Sequence, residues 1–464
     1  MRVAVIDIGS NALRTAIYDS NELGAAEIFN EKFRSDVLSL LELESLDIRH
    51  GTYNIFSYFT KIFKQLNVSH ISCVATEVLR NHKRAPEFID QIYRRYNIKI
   101  NVLSGDNEAR ITAEGLISSI PDAEGIAADL GGGSLELAEV HDKKVHNVKS
   151  LSLGTKVLSK MQIDSSKYII ESLEKVFPAQ SCNNLYLIGG ALRLLGRCYM
   201  DYNNNVIKNL HNLVIDPEEF LKFLNELETL KKFQQFFKQY KINKHAITVM
   251  RGLIEYFKPN KLVISTFGLK EGVRFGILSE AEKKKDIVFE RCLDFVKPNV
   301  KELSLESYKT LFACLNLEIN KNTNDLLIIA LLLSQYPRHV DRSYRAEWMI
   351  SFILTTDIPF NQHQRASLII SLAQALSSKT HLVPKSIKRI LSKQEIALAT
   401  VIGAFLRIAM ILDGPILSAP NFGFEYKNRF IEVVSDNIFP KAIFDKVCEQ
   451  LKAIGISKRN LPST

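Results

Sequence analysis

Twice in this chain an apolar strand runs into an aspartate, breaks at glycine and resumes as a second strand. The first copy is AVIDIGSNALRTAIYD, from Ala4 to Asp19; the second is IAADLGGGSLELAEV, from Ile126 to Val140. A repeated strand–turn–strand unit, the copies more than a hundred residues apart, constrains the chain to two similar lobes. The turns are built of small residues: Gly9, Ser10 and Asn11 in one, and Gly131, Gly132, Gly133 and Ser134 in the other. Small residues let backbone N–H groups close on an anion, and a nest of such groups binds phosphate. Two facing nests suit a polyphosphate, and Asp7 and Asp129 at their mouths suit a divalent metal bridging phosphate oxygens. Gly189–Gly190, at the end of a third strand, adds a close-approach point. A single D-x-G after a strand more often marks an Asx-bonded turn. The repetition gives the phosphate reading its weight.

The surrounding pattern is α/β. Strands are expected at 2–7 and 13–18, a helix at 53–66, a strand at 71–76, a helix at 85–96, a strand at 98–105 and a helix at 106–120. Pro86 suits the first turn of the 85–96 helix, and Ser104 or Asp106 suits the cap of the next. The pattern restarts with strands at 125–130, 135–140 and 145–151, then helices near 155–161 and 165–177. LYLIGG (185–190) and KLVIST (261–266) read as strands, with helices at 191–200, 217–240, 244–257 and 268–278. SEAEKKKDIVFE (279–290) reads as a linker. Beyond it, to about residue 415, Leu, Ile and Ala recur at helical spacing, and RFIEVVSDNIFP suits a strand pair.

A chain of 464 residues exceeds one ordinary core, so two or three domains are expected. No run of eighteen apolar residues suggests a membrane span, and MRVAVID leaves no room for a secretory apolar region, so a cytoplasmic protein is expected. Six scattered cysteines with no C-x-x-C pair argue for reduced thiols, against both a disulfide framework and a zinc site. The net charge of +9 favours a polyanionic partner, whether nucleic acid, anionic lipid or phosphate compound, without choosing among them.

The ordered series DIGSNALR, ATEVLR, SGDNEARI, DLGGGSLEL, SLSLGT, LIGGALRLL and STFGLKEGV resembles the exopolyphosphatase / guanosine pentaphosphate phosphohydrolase (Ppx/GppA) family of the actin–sugar kinase–Hsp70 superfamily. The resemblance covers residues 1 to about 280. It implies an α/β fold of two actin-like (ribonuclease H-like) lobes, residues 1–124 and 125–282, followed by an all-helical HD-like domain at 290–464. It implies an exopolyphosphatase releasing terminal orthophosphate from inorganic polyphosphate, or alternatively a guanosine pentaphosphate phosphohydrolase using the same site. Glu108, in SGDNEAR, matches the general base, and its place in the first turn of a helix favours the charged form by roughly 0.3–1 kcal/mol. Asp7, Asp129 and Glu136 match acidic residues holding Mg2+ or another divalent cation. Gly9, Ser10, Asn11, Gly131, Gly132, Gly133, Ser134 and Arg80 match phosphate-binding positions; the guanidinium fork of Arg80 suits phosphate oxygens. A homodimer is implied, with no nucleic acid and no membrane as partner.

Some positions depart from the family. NHKRAPEF follows Arg80 where the family has Ala and a later Asn; His82, Lys83 and Arg84 read either as a basic rim or as a solvated loop. Ala191 replaces a threonine after the Gly189–Gly190 pair, which removes a hydroxyl from any distal-phosphate contact there. In the helical half, His339 and Asp341 are split by Val340; no His-Asp doublet occurs after Asp142, and the one at His141–Asp142 falls in the second lobe. A separate metallohydrolase is therefore not expected. His339, Arg342, Arg345, Lys385, Lys388 and Arg389 read either as a path for a phosphate chain or as an ordinary solvated face. Two rivals from other classes are a sugar-type kinase, against which SGDNEAR speaks, and an inactive polyanion sensor, against which Glu108 and Asp129 speak.

Overall fold

The computed structural model describes residues 1–464 apart from 10–11, 35–36, 44, 81, 179–180, 230–238, 298–320, 378–381, 413–421, 428–429 and 436–464. Residues 1–205 and 210–291 form one compact unit, and 206–209 with 292–464 form a second.

The first lobe runs β1 (Arg2–Ile8), β2 (Leu13–Tyr18), β3 (Glu27–Phe33), α1 (Val37–Glu42), α2 (Gly51–Gln65), β4 (Val68–Ala75), α3 (Glu77–Arg80), α4 (Ala85–Tyr96), β5 (Ile100–Val102) and α5 (Gly105–Ser119). Its sheet has the order β3-β2-β1-β4-β5, with β1 to β3 antiparallel and β1, β4 and β5 parallel. Apolar spacing explains the outer helices. Tyr53, Phe56, Phe59 and Phe63 recur every three or four residues along α2 and are all buried, as are Phe88 and Ile92 of α4.

The second lobe runs β6 (Gly125–Leu130), β7 (Leu135–His141), β8 (Lys144–Leu151), α6 (Thr155–Met161), α7 (Ser166–Glu174), β9 (Asn184–Ile188), α8 (Gly189–Tyr202), β10 (Leu213–Ile215), α9 (Pro217–Thr229), α10 (Lys244–Phe257), β11 (Lys261–Ile264) and α11 (Leu269–Gly276). Its order is β10-β11-β9-β6-β7-β8. Reading β8-β7-β6-β9-β11 reproduces the first sheet strand for strand, antiparallel meander and parallel pair alike. The edge strand β10 is the addition, antiparallel to β11.

The lobes exchange helices. Ala113, Leu116 and Ile117 of α5 pack on Ala127, Ala138, Val140 and Ile188 of the second sheet. Val273 of α11 packs with Val5, Ala16 and Val74 of the first. The two helices cross at glycine: a Cβ on Gly115 would run into the Gly268 carbonyl, and one on Gly272 into that of Ile111. No larger residue permits this approach, so the glycines fix how closely the lobes meet.

Residues 279–290 depart from the linker expectation. Ser279 Oγ accepts from the Glu282 N–H at 3.3 Å and caps a short helix, α12 (Glu280–Lys283), and α13 (Ile287–Val296) follows. The carboxylate of Glu282 accepts from the Leu23 N–H at 2.9 Å, so the segment is tied to the first lobe.

In the second unit α14 (Lys321–Gln335), α15 (Arg345–Thr355), α16 (Gln362–Leu376), α17 (Lys385–Lys388) and α18 (Lys393–Leu412) are followed by β12 (Phe422–Lys427) and β13 (Phe430–Ser435). That antiparallel hairpin makes the region helical but not all-helical. Arg365 of α16 is fully buried and donates to the carbonyls of Ile353, Thr356 and Ile358, satisfying the C-terminal end of α15. Among the described residues no helix is long and apolar enough to cross a membrane.

Candidate active site

Asp7 and Asp129 hold the same place in their lobes, each the penultimate residue of its first strand. The turns that follow close alike: Gly9 N–H donates to the Ala12 carbonyl at 3.0 Å, and Gly131 N–H to the Ser134 carbonyl at 3.0 Å. Each aspartate faces a charged partner across its hairpin. Arg14 opposes Asp7, and Glu136 opposes Asp129. Directly opposed residues share one face of a sheet. This answers how Asp129 and Glu136, seven apart in sequence, come to act together. Ser10 and Asn11 lie outside the described residues.

The second turn is clamped from behind. Amides at the start of α6, from Gly154, Thr155 and Lys156, donate to the carbonyls of Gly133, Gly131 and Gly132 at 3.3, 3.1 and 2.8 Å. A Cβ on Gly154 would collide with the backbone of Gly132–Ser134, and one on Gly133 would meet the Glu77 carboxylate at 2.7 Å. The carbonyls of the glycine turn are thereby spent on the protein. Gly189, at φ +83, is a further required glycine: a Cβ there would strike the Asp129 carboxylate.

Glu108 enters from the first lobe on the first turn of α5. Ser104 caps that helix, its Oγ accepting from the Asn107 N–H at 3.2 Å. Arg80, at the end of α3, ion-pairs with Glu108 Oε2 and is itself steadied by donating from Nε to the Leu103 carbonyl at 2.9 Å. The Glu108 side chain is 14% exposed. Gly105 lets this end of α5 lie against Ser150 of β8, since a Cβ there would collide with the serine. Ser150 Oγ donates to Glu136 Oε1 at 3.0 Å. Glu108, Arg80, Glu136 and Ser150 therefore form one group.

Electrostatics binds the carboxylates together. Burial raises Glu108, with Glu136 and Asp129 adding and Arg80 opposing. Burial likewise raises Glu136, with Asp129 adding and the Ser134 and Ser150 hydroxyls opposing. Asp129 is raised by burial against Arg193 and Arg14. Asp7 is pushed up to about 6, by burial first and by Asp129 and Glu271 as well, with Arg14 and Lys270 pulling down. Crowded carboxylates that resist ionisation are a site waiting for positive charge. The donors are hard oxygens, suited to magnesium held by one or two carboxylates and completed by water and phosphate. Among the described residues no group of three or more His, Cys, Asp or Glu side chains could hold a metal ion by itself.

Sequence reasoning did not single out Ser150, Gly105, Gly154, Arg14 or Arg193. Ser150 and Gly154 lie in SLSLGT and Arg14 in DIGSNALR, so the motifs held them, but only register and helix approach assign their parts. Arg84, read either as part of a basic rim or of a solvated loop, is committed to Glu87 at 2.9 Å and to the Leu43 carbonyl.

Duplicated α/β lobes each carry an aspartate and a glycine turn at the end of their first strand, and Gly105 on the Glu108 helix of the first lobe lies against Ser150, the partner of Glu136, in the second. Residues 17–281, more than half of the chain, match the model of the Ppx/GppA phosphatase family, and the chain belongs to that family. It is 25% identical over 333 residues to Retrograde regulation protein 2 of Saccharomyces cerevisiae, covering 61% of this chain and 56% of that one. It is 22% identical over 160 residues to Exopolyphosphatase 1 of Mycobacterium tuberculosis, covering 33% and 46%. The chain thus spans about half the length of these curated relatives. The crystal structure of the Aquifex aeolicus Ppx/GppA family member matches 59% of this chain and 96% of its own at 23% identity, with a TM-score of 0.51, and shares the fold.

Proposed function

We propose that the protein is an exopolyphosphatase that releases terminal orthophosphate from inorganic polyphosphate. The observation that carries this reading is the ion pair of Arg80 with Glu108 at the mouth of α5, set against the opposed carboxylates of Asp129 and Glu136. The terminal phosphate lies on the turn Gly131–Ser134 and its counterpart after Asp7, with Arg80 steadying its oxygens. A divalent cation at Asp129 and Glu136, with Asp7 nearby, would neutralise phosphate charge and polarise the terminal phosphorus. Glu108 orients water and takes its proton as the water oxygen bonds to phosphorus and the bridging P–O bond breaks. Burial and the neighbouring Glu136 carboxylate raise Glu108, and Arg80 opposes them; a cation at the carboxylates would add to Arg80 in favouring the ionised form that a base requires. Ser150 fixes the rotamer of Glu136 through its hydroxyl. The shortened chain leaves carrying the bridging oxygen.

Glu108→Gln keeps the shape and removes the base. Orthophosphate release falls by about 10²–10⁴-fold while chain binding stays within a few-fold. Retained turnover overturns the assignment. Guanosine pentaphosphate, offered in parallel, is the second substrate that this site admits, and the faster release of orthophosphate identifies the preferred one. The same reading expects a cytoplasmic protein, where the buried thiols of Cys73, Cys182, Cys198 and Cys292 would stay reduced. Its homodimeric state and HD-like helical domain rest on the family resemblance, and the mass in solution tests the first.

A further inference from the structure

Glu77 takes no part in the reaction above, yet it stands inside the site. It opens α3, and the chain on either side of it is fixed. Thr76 N–H donates to the Ile8 carbonyl at 3.2 Å, which ties the start of α3 to the end of β1, just before the first turn. Val78 and Leu79 are buried in the core of the first lobe. Glu77 itself is exposed. Its side chain crosses to the second lobe and lies along Gly133: a Cβ on that glycine would stand 2.7 Å from Glu77 Cδ and Oε2 and 2.8 Å from Cγ. Three atoms at that distance put the carboxyl end of the side chain, as well as its stem, against the turn. Position 133 must be glycine as long as Glu77 lies there. Arg80, three residues on and so on the same side of α3, spends Nη2 on Glu108 and Nε on the Leu103 carbonyl. One short helix thus sends an acid to the glycine turn and a cation to the base.

A carboxylate is an unexpected neighbour for a phosphate-binding turn. The three glycine carbonyls are taken by α6, so amides are what the turn offers an anion, and an ionised Glu77 repels any anion that arrives. A carboxylate only accepts hydrogen bonds; it attracts an oxygen that carries a proton and repels one that does not. The phosphates of a chain differ in this respect. A terminal phosphate has a second ionisation, about 6 for a phosphate monoester, and a nearby carboxylate raises it, so one oxygen keeps a proton to donate. An interior phosphate, bonded to two bridging oxygens, has no such proton.

We propose that Glu77 selects the end of the chain: its carboxylate accepts a hydrogen bond from the P–OH of a terminal phosphate seated on Gly131–Ser134 and turns an interior, fully ionised phosphate away from that seat. This role rests on the exopolyphosphatase reading and deepens it, because it names the residue that restricts the site to chain ends. Selection of this kind works by exclusion as much as by contact.

The test compares linear tripolyphosphate, which has chain ends, with cyclic trimetaphosphate, which has none. Dissociation constants are measured by calorimetry in the Glu108→Gln background, with Glu77→Gln or Glu77→Ala added. Glu77 is exposed and glutamine keeps its volume against Gly133, so the glutamine variant folds as the unaltered chain does. Its amide donates where the carboxylate only accepts. With Glu77 present, the linear chain binds about tenfold or more tighter than the ring. Glu77→Gln tightens the ring by about fivefold and loosens the linear chain by about threefold, so the preference collapses. Glu77→Ala moves the ratio the same way by a smaller factor, because it ends the repulsion without adding a donor. With Glu108 intact, Glu77→Gln raises KM for tripolyphosphate about threefold with kcat within about twofold, and trimetaphosphate becomes a competitive inhibitor. An unchanged ratio, an equal shift for both ligands, a fall in kcat alone, or a shift that appears only when magnesium is present overturns the role of Glu77. If the unaltered protein releases no orthophosphate from tripolyphosphate, the exopolyphosphatase reading fails by itself, and the binding ratio still decides the role of Glu77.

Discussion

The two hairpins share strand lengths, turn bond and the place of the aspartate, and they differ in the residue that faces it. In the first, Asp7 meets Arg14 and then Lys32 on the next strand. In the second, Asp129 meets Glu136 and then Ser150. One backbone thus presents a row of cations and, on its copy, a row of acids. The proposed reaction uses both: acids that would gather a metal and a base at the reacting end, and cations that would hold the remaining phosphate charge. Duplication supplies the symmetric frame, and a few substitutions on the opposed strand divide the labour.

The largest effect comes from breaking the acidic row. Glu136→Gln preserves volume and the contact with Ser150 but removes half of the acid pair, and orthophosphate release at fixed magnesium falls by about 10²–10³-fold. The matching change in the first hairpin, Arg14→Gln, acts mainly on KM, by about tenfold. If the two variants lose kcat equally, the division of labour is wrong.

A second difference lies behind the turns. Gly131–Gly133 are clamped by the start of α6, whereas among the described residues a Cβ on Gly9 would meet the Ala12 carbonyl alone, at an ordinary 3.5 Å. Gly154→Ala forces the clamp apart and costs about 1–3 kcal/mol by denaturant unfolding, with turnover falling alongside. Gly9→Ala costs less than about 1 kcal/mol. Equal costs would mean that the second turn is not held as described.

Much of this was open to reading in the sequence. Strong 3.6-residue periodicity in YNIFSYFTKIFKQL and uninterrupted apolar runs in VAVID and IAADL mark α2, β1 and β6, because those residues must be buried. β3 escaped notice because EIFNEKF lies at a sheet edge, where only one strand neighbours it and most side chains face water. The 279–290 stretch looked like a linker because its charges dominate, yet Ser279 and Glu282 are a cap and a tether. Asp129, Glu136 and Glu108 were named from motifs, while Arg14, Ser150 and Arg193 were not. Their parts depend on which residues stand opposite one another and on a helix approaching from the other lobe, and neither is a local property of the sequence.

The smallest effect concerns Asp7 itself. Its carboxyl titrates near 3.8 in an unfolded chain and is pushed up to about 6 in the folded protein, mainly by burial. Between those values the folded state keeps its proton while the unfolded state has lost it. Stability therefore falls as pH rises through that window and stays lower above it. Asp7→Asn removes this loss. Without divalent cation the variant matches the unaltered protein at about pH 4 and is more stable at about pH 7.5, by on the order of 1 kcal/mol because the group is partly exposed. Thermal unfolding at the two pH values measures it. Glu108, Asp129 and Glu136 are raised for the same reason, so without a cation the acidic side holds protons toward neutral pH that a bound cation would displace. Added magnesium should then raise the unfolding midpoint of the unaltered protein more than that of Asp7→Asn. An Asp7→Asn protein that is less stable at neutral pH would instead mean that Arg14 holds Asp7 ionised, and that the first hairpin carries an internal ion pair rather than a cation free for substrate.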